Sequence, residues 1–77
     1  MTRKEFCEKH ETEIRQLSKT LVNQGVDLGT AESIYCNAAR LGRIPDGDDP
    51  GVRAALAILG GAEYWDNLGR EYADVIL

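Results

Sequence analysis

Phe6, His10, Ile14, Leu17 and Leu21 recur every three or four positions, with polar residues between them. That is the period of one helix face. Thr2-Arg-Lys-Glu5 precedes the stripe as a capping box, in which the threonine hydroxyl and the glutamate carboxylate satisfy each other's backbone amides. Gly25 follows as a C′ residue that tolerates a left-handed backbone. The pattern predicts a first helix over roughly residues 3–24.

A second stripe runs through Ala31, Ile34, Tyr35, Ala38 and Leu41, with Asp27 or Thr30 as its cap and Gly42 as its end. The next residues read Arg-Ile-Pro-Asp-Gly-Asp-Asp-Pro. Pro45 to Asp48 is a turn signal, and Asp49-Pro50 places a capping carboxylate before a proline suited to the first helical position. From Pro50 to Leu59 the chain is apolar on nearly every side, which predicts a short helix buried by its neighbours. After Gly60-Gly61, the stripe Trp65, Leu68, Tyr72, Val75 and Ile76 predicts a last helix over roughly 62–75. No stretch alternates as a strand would, and no segment repeats. The expected fold is all-α: a compact single-domain bundle of about four helices over residues 1–77, with the short apolar helix at its centre.

Composition sharpens this picture in two ways. Only five aromatic residues are present, so the core must be mostly aliphatic and alanine. The longest apolar run, Ala54 to Leu59, is far shorter than the ~20 residues of a membrane span, and no signal-peptide pattern opens the chain. No membrane association is expected, and a cytoplasmic location is the default. The net charge is −4. Residues 1–43 carry seven bases and six acids, whereas residues 44–77 carry two bases and seven acids. An acidic half repels phosphate and attracts basic partners.

Candidate chemistry is sparse. His10, the sole histidine, lies on the apolar stripe, where a packing role accounts for it. Catalysis needs titratable groups gathered in a cleft, and the chain supplies few, so no enzyme is expected. Cys7, His10 and Cys36 suggest zinc, but a structural site needs four ligands and no fourth is spaced to match. If residues 3–24 and the second helix form a straight antiparallel hairpin, Cys7 and Cys36 lie about 16 Å apart along the axis at 1.5 Å per residue. That gap excludes a shared metal and a disulfide, leaving two reduced thiols with Cys36 semi-buried. Asp46-Gly-Asp48-Asp49 resembles part of a calcium loop, but the twelfth position, which must supply an acid, is Ala57. Neither metal nor cofactor is expected.

The second and third predicted helices could be laid onto a helix-turn-helix. The third offers a single base, Arg53, and follows three aspartates, whereas a recognition helix needs several cations and polar side chains. The bases Arg3, Lys4, Lys9, Arg15 and Lys19 are interleaved with Glu5, Glu8, Glu11 and Glu13, which weakens direct nucleic-acid binding as a reading. The remaining candidate surface comprises Asp46, Asp48, Glu63, Tyr64, Asp66 and Asp74. Asp66–Arg70 and Arg70–Asp74 have i,i+4 spacing, and Tyr64 and Trp65 cannot both be buried on one narrow stripe. Aromatic anchors beside steering charges suit a protein interface.

In profile, as a tiny acidic helical protein without a cofactor, the chain resembles small inhibitors encoded by phages and mobile elements, anti-CRISPR proteins among them. That resemblance is carried by no motif. It implies a non-enzymatic inhibitor or regulator that masks a basic nucleic-acid-binding groove on a larger protein. The alternatives are a helical nucleic-acid-binding regulator and a self-association module.

Overall fold

The computed structural model describes residues 1–75. Five α-helices follow one another: α1 Arg3–Lys9, α2 Glu11–Thr20, α3 Leu28–Leu41, α4 Pro50–Leu59 and α5 Ala62–Tyr72. A 3-10 turn, Val22–Gln24, links α2 to α3. There is no strand among the described residues, and no helix among them is long and apolar enough to cross a membrane. The radius of gyration is 11.4 Å, against about 11.5 Å for a compact chain of this length. Ile76, expected on the last stripe, lies outside the described residues.

Local signals are realised at the helix starts. Thr2 N–H donates to Glu5 Oε1 at 2.9 Å, and Glu5 N–H returns a bond to Thr2 Oγ1 at 3.1 Å. Asp27, rather than Thr30, caps α3, its Oδ1 accepting from Thr30 N–H at 2.8 Å. Asp49 caps α4 by accepting from Gly51 N–H, with Pro50 in the first turn. Gly25 and Gly42 take the left-handed conformation at φ 76° and 69°.

Two expectations need correction. The predicted helix over 3–24 is two helices joined by a kink at His10, where φ is −108° and ψ is 26°, and its regular α form stops at Thr20. Backbone bonds from His10 N to Phe6 O and from Ile14 N to His10 O persist across the joint. No glycine or proline marks the kink. It coincides with a histidine whose ring is held by tertiary partners, packing 4.7 Å from Phe6 and 5.7 Å from Tyr35.

The second correction concerns the centre of the fold. The apolar α4 is peripheral: it buries Ala55 and Leu56, packs mainly on α2, and leaves Ile58 64% exposed. The central element is α3, gripped by α2 on one side and α5 on the other. It buries Ala31, Tyr35, Cys36, Ala38 and Ala39, and its alanines let both neighbours approach closely. Helix α3 brings the central aromatic contact, setting Tyr35 against Trp65 on α5 with ring centroids 5.5 Å apart, whereas α4 carries no aromatic residue.

Candidate functional site

Six residues were expected to form an acidic contact surface, and the structure places them in the loop between α3 and α4, on α5 and just past its end. Asp46 and Asp48 lie in the loop between α3 and α4. Asp46 is exposed and held between Arg43 and Arg53, at 3.4 and 3.6 Å. It thus has a local role, bracing the loop against the start of α4. Asp48 is half-buried, and Asp48, Glu63 and Asp74 enter no ion pair among the described residues.

Glu63 is exposed in the first turn of α5, where a carboxylate is favoured by the helix dipole. Asp66 pairs with Arg70 at 2.7 Å as its spacing predicts. The companion pair, Arg70 with Asp74, does not form: α5 ends at Tyr72, which takes Asp74 out of helical register. The Asp74 carbonyl instead accepts from the N-terminal ammonium at 3.1 Å.

Tyr64 and Trp65 divide as expected. Trp65 is 0% exposed, and its indole N–H donates to Gly60 O at 3.1 Å. Tyr64 is half-buried beneath Gly60, its hydroxyl 2.7 Å from that of Tyr35. Burial pushes both phenols up, so both stay protonated and neutral.

A second acidic site was not read from the sequence. Helices α1, α2 and α3 enclose a groove of about 170 Å3 with Cys7, Ile14 and Leu28 as its apolar lining. Glu8, Glu11 and Glu32 bring three carboxylates to it, opposed by Lys4. Arg15 neutralises Glu11 at 2.7 Å, while Glu8 and Glu32 have no ion-pair partner among the described residues. Glu8 and Glu11 stand one turn apart on the face that α1 and α2 turn to the groove, and α3 sets Glu32 beside them. The spacing of Glu8 and Glu11 was visible in the sequence, but the approach of Leu28 and Glu32 on α3 was not.

The kink at His10 overturns the expected separation of the cysteines. Cys7 Sγ lies 3.6 Å from Cys36 Sγ, with both residues buried at 7% and 4% exposure. Residues 3–24 are not one straight helix antiparallel to the next: the chain turns at His10, and Cys7 on α1 meets Cys36 in the middle of α3.

His10 itself packs within the aromatic cluster, and its Nε2 meets Glu71 Oε2 at 3.2 Å. Lys9 Nζ holds the other oxygen of Glu71 at 2.6 Å. Burial pushes the Glu71 carboxyl up, but the Lys9 and His10 bonds and charges outweigh it and hold the group below the usual carboxylate range. Among the described residues no three His, Cys, Asp or Glu side chains are grouped as metal ligands.

Comparison of the chain with protein-family models, with curated proteins and with solved structures finds no match.

Proposed function

We propose that this protein is a non-enzymatic binding module whose acidic surface occupies a basic, nucleic-acid-binding region of a larger protein, acting as an inhibitor or regulator. The groove among α1, α2 and α3 carries the reading. Its 170 Å3 falls below the roughly 300–1,000 Å3 of small-molecule sites. Its apolar lining and carboxylates suit the aliphatic stem and charged head of one lysine or arginine from a partner. The carboxylates Asp48, Glu63 and Asp74 add long-range attraction from the other elements.

Direct nucleic-acid binding is the weaker reading. Of the bases that would carry it, Lys9 is tied to Glu71 and Arg15 to Glu11. Affinity for phosphate requires several cations acting together.

The test is capture of host proteins on immobilised protein at low salt, followed by elution with heparin as a stand-in for the phosphate backbone. The bound partner is expected to elute with heparin. It should be lost when Glu8 and Glu32, or Asp48 and Glu63, are changed to Gln or Asn. Its association rate should fall steeply with salt, because steering is screened over about 8–10 Å. Retardation of duplex DNA by the wild type, strengthened in these variants, would replace this reading with the nucleic-acid one.

A further inference from the structure

The sulfurs of Cys7 and Cys36 belong to residues 29 positions apart and to different helices, yet they touch at 3.6 Å. A disulfide requires about 2.0 Å between sulfurs, so the pair is about 1.6 Å from bonding, a distance within reach of small side-chain rotations. Both thiols are free, and no third cysteine competes for either. Cys7 lines the groove described above, which gives a water-sized reagent a way to an otherwise buried pair. The reactive form of a cysteine is the thiolate, favoured by a neighbouring cation. Arg3 supplies that cation to the pair, its guanidinium proton held more tightly by both Cys36 and Cys7. Burial pushes the Cys7 thiol up to about 12, so Cys7 stays protonated. Once either sulfur of the touching pair is oxidised, the other is in place to attack it.

We propose that Cys7 and Cys36 are an oxidation site, a dithiol that a hydroperoxide converts to an intramolecular disulfide joining α1 to α3. The Cys36 thiolate attacks one oxygen of hydrogen peroxide, the O–O bond breaks, and the departing hydroxide is protonated to water. Cys36 is then a sulfenic acid. The Cys7 sulfur attacks the Cys36 sulfur. An S–S bond forms, the S–O bond breaks, and hydroxide leaves with the Cys7 proton as a second water. Two thiols and one peroxide thus give one disulfide and two waters. The bond would tie the short α1 to the central helix across the His10 kink and restrict the unfolded chain.

The folded wild-type protein is treated with hydrogen peroxide, quenched, denatured and alkylated, and its intact mass is measured with and without a thiol reductant. The expected result is a monomer that has lost two hydrogens and accepts no alkyl group, with Cys7 and Cys36 linked on peptide mapping. Reductant should restore both alkylation sites, and the oxidised protein should melt at a higher temperature than the reduced one. In Cys7→Ser, confirmed folded by circular dichroism, a dimedone probe should trap Cys36 as its sulfenic acid. Two thiols still open to alkylation after peroxide treatment, oxidation to sulfinic acid without a link, or disulfide only between chains would each overturn the proposal. Because the main readout uses the wild type, a poorly folding variant leaves it decisive.

Discussion

Glu71 and His10 are 61 residues apart in sequence and share a hydrogen bond, with Lys9 on the other carboxylate oxygen. Because Glu71 is held below the ordinary carboxyl range, its contribution to stability is complete above the unfolded value near 4.3 and is lost as pH falls through the folded value. The Glu5 and Asp27 carboxylates, lowered by backbone N–H bonds from Thr2 and Thr30, act in the same direction. Thermal melts followed by circular dichroism from neutral to acidic pH should show wild type losing stability below about pH 4–5. Glu71→Gln should be less stable at neutral pH and lose less on acidification. Equal pH slopes for the two proteins would mean that the Lys9–Glu71–His10 contact contributes nothing. The caps at Thr2, Asp27 and Asp49 were legible in the sequence because each acts within three residues. The partners of Glu71 were not, since nothing near it in sequence indicates an N-terminal lysine and histidine.

At the scale of the elements, helix positions followed from period and caps, but packing order did not. An apolar sequence from Pro50 to Leu59 suggests a centre, yet of its residues only Ala55 and Leu56 are buried. Leu56 is fully buried, whereas Ile58 is exposed. Leu56→Ala should cost about 2–5 kcal/mol and Ile58→Ala less than about 0.5, measured by urea unfolding. The α3–α5 contact offers a sharper test. A Cβ on Gly69 would lie 2.8 Å from Gly42 Cα, a backbone atom that cannot rotate aside. Gly69→Ala gains about 1 kcal/mol of helix propensity but forces the helices apart at about 1–3 kcal/mol. A net loss of about 1 kcal/mol is expected, with a larger loss for Gly69→Val. Stabilisation by both changes would show that α5 can shift away from α3 freely. The kink at His10 was hidden for a related reason: Phe6, Ile14, Leu17 and Leu21 keep helical spacing through it, so periodicity alone cannot separate a bent helix from a straight one.

For the whole molecule, charge was the most legible property and its arrangement the least. The excess of acids after residue 43 is plain in the sequence, but the groove also draws on Glu8, Glu11 and Glu32 from the nearly neutral half. Folding also decides which acids are paired: Asp46 finds Arg43 and Arg53, whereas Asp48 and Glu63 enter no ion pair among the described residues. The aromatic cluster has a separate practical consequence. Trp65 is the sole indole in the chain, fully shielded, wedged edge-on against Tyr35 and Tyr64, with its N–H fixed on Gly60 O. The protein therefore carries its own optical reporter at the α3–α5 seam. Its fluorescence should be blue-shifted and resist acrylamide quenching, and its near-ultraviolet dichroism should be strong because the ring is held in one asymmetric setting. Loosening of the seam should move the emission to the red before far-ultraviolet dichroism records any loss of helix, so native-state repacking can be followed without a label.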